Sequence, residues 1–403
     1  MDIPLLDPAY VSDPRPFWRT LRDEAPVLRS EAFGFWVVSR YDDVLAVARN
    51  HEDYSSAIGP AGGLAENAHD SKDAGAGVGF LPMIQHDPPD HGRLRSVLSR
   101  AFSPRRVASM EARIGELAQD LADGVRRRHA EGEDVDLYRD FASPLPVIVV
   151  AEILGVPESD RERLSFWAGA TGVGSGGQYS MDVRARAVTE IDTCLAELIA
   201  DRRRSPAEDL VSALVQIAHD DGEKVRDEEL LGFCKLLWIA GNETTTNLIT
   251  NTAVLLDGRP DLRESCSDPA ILPGFVEEAL RCETPVSGLF RRATRNVELA
   301  GEKIGKGDPV WILFGSANQD PRHFEDADRF DPQRKPNDHL ALGFGIHFCL
   351  GASLARLEAR LAFAALAPLL AEFELEPERG ERIPTPILRG WLKLPMHRRG
   401  DAR

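Results

Sequence analysis

Two settings in this chain suit chemistry: a cysteine in a glycine-rich turn, and an acid–alcohol pair inside a long apolar helix. The turn is Gly343-Phe344-Gly345-Ile346-His347-Phe348-Cys349-Leu350-Gly351, followed by the apolar helical run Ala352 to Leu370. A thiolate placed there can be presented to a metal while the following helix N-terminus stabilises its charge. Gly345 and Gly351 permit close backbone approach, so that backbone N–H groups can tune the sulfur, and Phe344 can shield it from water. Cys349 equally suits a buried structural position at a helix start. In the second setting, the Thr244 hydroxyl can hold a water or a reacting oxygen, and its neighbour Glu243 can feed protons from solvent. Thr245 projects from another face and reads as structural.

Two further pairs depend on helical spacing. His91 and Arg95 (i,i+4) follow Asp87-Pro88-Pro89 and can point together at an anion, with Arg291 and His347 as partners from elsewhere in the chain. Glu278 and Arg281 (i,i+3) share a face of a helix that also carries Phe275, Val276, Ala279 and Leu280. That pair suits either a solvated face or a buried network.

The elements that must position these residues are mainly helical. Pro14 to Arg22, Arg40 to Arg49, Leu145 to Leu154, Leu164 to Trp167, Met181 to Arg202, Glu228 to Leu256 and Ala270 to Cys282 are expected helices. One helix is expected to run from Ser103-Pro104 through Met110, Ile114, Leu117 and Leu121. Gly241 and the threonines after it are poor helix formers in the middle of the Glu228 to Leu256 run. Close helix packing explains them, as does a local distortion facing a ligand. Phe35 to Val38, Leu289 to Ala293, Val297 to Leu299, Lys303-Ile304 and Val310 to Leu313 read as short strands. Gly59 to Gly79 reads as a mobile loop, and Gly169 to Gly177 as a second glycine-rich break.

Composition bounds the function. The chain has 403 residues, 43% of them hydrophobic, and a formal charge of -17. That size allows a large core, and the acidic balance argues against nucleic acid as a partner. The five cysteines form no close pair and no zinc-like cluster, which suits reduced thiols in the cytoplasm. No run reads as a leader or a membrane span.

A thiolate can also serve as the proximal ligand of haem, whose dianionic edge needs donors such as His91 and Arg95. On that ground the chain resembles the bacterial soluble cytochromes P450 over essentially its full length. The resemblance rests on Ala240-Gly241-Asn242-Glu243-Thr244-Thr245, Glu278 with Arg281, Asn318 with Asp320-Pro321, Phe330-Asp331-Pro332 and the cysteine loop, in the family's order. Asp87-Pro88-Pro89-Asp90-His91 with Arg95 and Phe102-Ser103-Pro104 belongs to the same pattern. Ala327 stands where proline is common, and Asn296 where aspartate is common.

The resemblance implies a mainly α fold with a smaller β-rich region that includes approximately 289–313, in one cytochrome P450 domain spanning 1–403. It implies haem b with Cys349 as axial thiolate, Phe344, Gly345, Gly351 and Ala240 around it, and His91, Arg95, Arg291 and His347 on the propionates. Glu243 and Thr244 take the acid–alcohol role in activating dioxygen. Glu278 and Arg281 belong to a structural network that includes Arg329. Leu236, Ile239, Ala240, Ser287 and Leu289, with the segment before Leu81-Pro82-Met83, border a pocket for a hydrophobic small molecule. No strand–GxGxxG–helix arrangement is present, so no bound flavin or NAD(P) is expected. Electrons then come from a ferredoxin and its reductase, docking at Arg93, Arg100, Arg105, Arg356 and Arg360. The implied protein is a cytoplasmic monomer with no membrane contact, and C–H hydroxylation is its expected reaction. A peroxide-driven or redox-neutral haem enzyme, a haem-thiolate sensor and a structural α-rich protein are the competing readings.

Overall fold

A computed structural model of the chain describes residues 4–5, 7–58, 83–157, 160–172, 174, 178–220 and 225–401. The expected Gly59 to Gly79 loop and Leu81-Pro82 lie outside the described residues. At the centre runs the helix Asp227–Asp257. Its first turn carries Asp227, Glu228 and Glu229, which suit the positive end of the helix dipole. The Glu229 carboxylate also accepts the Arg226 backbone N–H at 3.0 Å. Leu230, Phe233, Leu248, Ile249 and Leu256 are all buried along it. It packs against Pro144–Leu154, Met181–Arg204 and Ala352–Glu372, which makes it the axis of the helical core.

Gly241 explains one of these contacts. A Cβ there would lie 2.7 Å from Cγ2 of Val150 on the Pro144–Leu154 helix. The glycine therefore lets two helices approach, and an alanine would overpack the contact at a cost of about 1–3 kcal/mol. The central helix stays α-helical through Gly241 and the threonines. Of the two explanations for this segment, packing is the one the structure supports, and the distortion is not seen.

The β structure is assembled from distant parts of the chain. A five-stranded sheet has the order Val27–Ser30, Phe35–Val38, Pro309–Ile312, Leu289–Ala293, Tyr54–Ser55. Phe35–Val38 runs parallel to Pro309–Ile312, with Trp36 opposite Val310. Leu289–Ala293 pairs antiparallel to the same strand, with Leu289 opposite Ile312. Alternate residues feed two cores: Trp36, Val38, Val310 and Ile312 one, Phe35, Val37, Phe290 and Trp311 the other. Both faces are covered, so Phe35–Val38 is buried throughout. Val135–Asp136, Pro395–Arg398 and Phe373–Leu375 form a separate sheet.

Several expected boundaries shift. The helix expected from Ser103-Pro104 onward is two, Pro104–Ser109 and Glu111–Ala130, which meet at Met110. Strands from the N-terminal and C-terminal parts of the chain join those within 289–313 in the β structure. Strands 289–293 and 297–299 keep the expected bounds.

Candidate functional site: a cysteine loop and the cationic cluster beside it

The cysteine loop is held by its glycines and by backbone bonds. Gly343 and Gly345 adopt φ +72° and +70°, where L side chains are strained. A Cβ on Gly345 would also come within 3.1 Å of the Ala48 carbonyl. The Cys349 N–H donates to the Leu342 carbonyl at 2.8 Å, closing the loop. Gly351 is the N-cap of Ala352–Glu372 and offers no side-chain cap. Its N–H is instead directed at the Cys349 sulfur. Burial pushes the Cys349 thiol up, while the Gly351 N–H, Arg356 and Arg95 pull the other way. Coordination to a cation would deprotonate such a sulfur outright.

His91, Arg95, Arg291 and His347 do converge. His91 and Arg95 come from Asp90–Ala101, Arg291 from Leu289–Ala293, and His347 from the cysteine loop. The His91 and His347 rings lie 4.4 Å apart between centroids. Arg95 Nη2 donates to the Phe348 carbonyl at 2.7 Å, tying the helix to the loop. Burial, then the charges of Arg291, His91 and Arg95, push His347 down to about 3. Burial lowers Arg291 to about 10, against the pull of Asp87. Asp87 is itself engaged by the Ser55 hydroxyl and the Ser56 N–H. Yet His91 Nε2, Arg95 Nη1 and His347 Nε2 are buried with no hydrogen-bond partner among the described residues. Such groups are costly unless an acceptor meets them. His51 contributes to the same field and was not legible in the sequence, since a lone histidine after a helix carries no spacing signal.

On the central helix, Thr244 Oγ1 donates to the Ala240 carbonyl at 2.8 Å. Ala240 is exposed although the residues around it on this helix are largely buried. Glu243 turns away from that row, and its Oε1 accepts the Gly174 N–H at 2.6 Å. The five residues expected to border the substrate are dispersed. Ile239 lines a large cavity together with Glu243, Ser287 lines a small cleft with Tyr10 and Leu388, and Leu236 is buried in the main core. Leu289 is partly buried against the sheet core. Phe344 is 37% exposed, and the Arg49 guanidinium sits over its ring at 5.2 Å.

Glu278 and Arg281 are both fully buried and face each other at 2.7 Å. Glu278 also accepts from Arg334 Nε at 3.1 Å, Asn337 Nδ2 at 3.1 Å and the Asp331 N–H at 2.9 Å. Arg281 donates onward to the carbonyls of Asn318, Ala327 and Arg329. Burial raises the Glu278 carboxyl, but the Arg281 hydrogen bonds and charge outweigh it and leave the group below its ordinary value. Among the described residues Arg329 enters through its carbonyl, and the second guanidinium on Glu278 is Arg334. Asn318 extends the network: its Oδ1 accepts the Leu340 N–H at 2.6 Å, at the entrance to the cysteine loop.

The family model described as Cytochrome P450 matches residues 264–399. Cytochrome P450 107B1 of Saccharopolyspora erythraea is 37% identical over 98% of this chain and 97% of its own length. The monooxygenase PikC of Streptomyces venezuelae is 38% identical over 99% and 95%. The crystal structure of CYP109E1 from Bacillus megaterium in complex with testosterone superposes with a TM-score of 0.82, at 33% identity over 96% of this chain and 99% of that one. The chain belongs to the cytochrome P450 family and is a P450 monooxygenase. The residues fit the family's haem b: a sulfur at a helix N-terminus with an N–H directed at it, and two histidines and Arg95 with buried nitrogens that have no partner among the described residues. Cys349 would hold the iron, and His91, Arg95, Arg291 and His347 the anionic edge. Haem b with a thiolate ligand supplies the reduction of dioxygen and the transfer of one oxygen atom to substrate.

Proposed function

We propose that this P450 hydroxylates C–H bonds of a hydrophobic small molecule in the cytoplasm, using electrons from a ferredoxin and its reductase. The observation that carries the reading is the acid–alcohol pair on the central helix. The Thr244 hydroxyl is held against Ala240, whose exposed methyl adjoins open space, while the Glu243 carboxylate is held by a backbone N–H on the other side. Thr244 would orient a proton donor toward the reacting oxygen, and Glu243 would replenish it. Apolar Ala240 and Leu289 favour a substrate with little charge, whereas Ile239 lines the cavity on the Glu243 side, Ser287 a separate cleft and Leu236 the main core. The testosterone in the CYP109E1 complex supports the same substrate class.

Electron delivery would use the basic residues near the cysteine loop. Three of the expected five are already paired: Arg93 with Glu229, Arg356 with Glu277 and Arg360 with Glu111. Arg105 is exposed and is the favoured docking contact for an acidic ferredoxin. Among the described residues no helix is long and apolar enough to cross a membrane.

The test is a spin-state binding screen of apolar compounds, testosterone included, followed by product analysis with ferredoxin, reductase and isotopically labelled dioxygen. One labelled oxygen in a hydroxylated product supports the proposal. Product formed without external electrons, or none with any compound that shifts the spin state, contradicts it.

A further inference from the structure

A cleft of about 340 Å³ opens between the start of the chain and the segment that precedes the cysteine loop, and no residue of that loop or of the central helix lines it. One wall is the helix Arg15–Glu24, which contributes Arg19 and Arg22. At i,i+3 the two arginines share a face. The other wall is the irregular stretch 319–329, which contributes Asp326, Asp328 and Arg329 beside apolar Pro321 and Ala327. Two ion pairs tie the walls together, Arg19 with Asp328 and Arg322 with Asp23, each at 2.8 Å.

The arginines of this cleft have more donors than the protein uses. Arg22 is only 2% exposed, yet it lines the cleft. Its Nη1 donates to the Ser316 carbonyl and hydroxyl, each at 3.0 Å. Its Nε and Nη2 have no hydrogen-bond partner among the described residues. Burial pushes this guanidinium below its ordinary value, while Asp320 and Asp23 pull the other way. A buried cation with unmet donors is costly until an acceptor reaches it. Arg329 is exposed, on a turn closed by its own N–H on the Asp326 carbonyl at 2.8 Å. Its guanidinium, left out of the Glu278 network, has no partner among the described residues. Three arginines thus share the cleft with two aspartates, one of which Arg19 already holds. In a chain of formal charge -17, this is a local excess of positive charge that draws anions from solution.

We propose that the cleft is a binding site for the phosphate group of a small molecule, with Arg22 at its floor and Arg329 at its rim. A phosphate presents three or more oxygens to separate guanidinium groups, where a carboxylate presents two. An excess of one cation suits a single phosphate rather than a polyphosphate chain. Pro321 and Ala327 offer apolar surface to whatever the phosphate is attached to. The bound group would brace Arg15–Glu24 against the stretch whose Ala327 and Arg329 carbonyls accept from Arg281, so occupancy stabilises the fold at the edge of the Glu278 network. The site is separate from oxygen chemistry and does not depend on the reading of Thr244 and Glu243.

The test is calorimetric titration of the haem-loaded protein, at constant ionic strength, with inorganic phosphate, phenyl phosphate and benzoate. A phosphate should bind at one site per chain, and benzoate about tenfold more weakly or not at all. Either phosphate supports the site; tighter phenyl phosphate assigns it to a monoester, and tighter inorganic phosphate to the free ion. Arg329→Gln, at an exposed position, should weaken phosphate about tenfold or more while the spin-state shift caused by an apolar compound stays unchanged. Arg22→Met removes the buried donor and should abolish binding. Because that variant also loses the bonds to Ser316, Arg19→Gln stands beside it: it frees Asp328 to repel the anion and should weaken phosphate as well. No saturable phosphate binding to the wild type, or wild-type affinity in both Arg329→Gln and Arg19→Gln, overturns the site. Benzoate bound as tightly as either phosphate overturns the assignment to phosphate.

Discussion

Two buried polar clusters adjoin the cysteine loop, and they are built to opposite rules. Around Glu278 and Arg281 the protein supplies partners for both groups: a carboxylate with two guanidinium groups, an amide and an N–H, and a guanidinium with three carbonyls. Around His91, Arg95 and His347 the protein brings donors together and leaves three nitrogens unmet. The first arrangement is closed and holds the fold together. The second is left open, with nitrogens that an anionic group from outside would meet. Burial and charge alone do not distinguish scaffold from receptor; the count of unmet donors does.

The largest effect should come from breaking the closed cluster. Arg281→Ala leaves buried Glu278 with Arg334 as its remaining guanidinium and strips the carbonyls of Asn318, Ala327 and Arg329 of a donor, a loss of about 3–5 kcal/mol. Urea unfolding should show a collapsed midpoint, or the protein should fail to accumulate in folded form. Because the Glu278 carboxyl is held below its ordinary value of 4.5, its contribution is complete above that pH and is lost as pH falls through the lowered value. Acid unfolding of the wild type should therefore steepen below pH 4.5, and a flat profile there would count against the closed cluster.

Breaking the open cluster should do the reverse. Arg95→Leu removes a buried cation lacking one partner, so the haem-free protein should be no less stable in urea. Haem affinity should fall roughly 10- to 100-fold, the equivalent of about 1.5–3 kcal/mol for a charge-assisted bond. Loss of stability without loss of haem affinity would make the two clusters alike.

Gly345→Ala tests the loop between them. Its φ of +70° should cost roughly 1–2 kcal/mol, and the approach to the Ala48 carbonyl adds to that. The expected outcome is weaker haem retention on dialysis with the rest of the fold intact by circular dichroism. The smallest effect is at the surface: Arg105→Glu should slow reduction by ferredoxin a few-fold at low salt and hardly at all at high salt. Equal rates at low salt would remove Arg105 from the docking surface.

What was legible in the sequence followed what is local in physics. The glycine turn, the central helix and the strands 289–293 and 297–299 carry their own turn chemistry and periodicity. So do the i,i+3 and i,i+4 pairs, which is why His91 with Arg95 and Glu278 with Arg281 were found. Contacts set by distant chain were not legible. The parallel pairing of Phe35–Val38 with Pro309–Ile312 has no local signature. Nor does the choice of Arg334 over Arg329, because both lie in an irregular segment whose side-chain directions follow no period.

The account turns on Cys349 as the ligand of a haem iron. The most direct measurement is the carbon monoxide difference spectrum of the reduced protein, taken for the wild type and for Cys349→Ser. The wild type should give the thiolate-type band that names the family, and the variant should lose it while keeping its helical content. The same band in the variant, or a folded wild type that takes up no haem, would contradict the account.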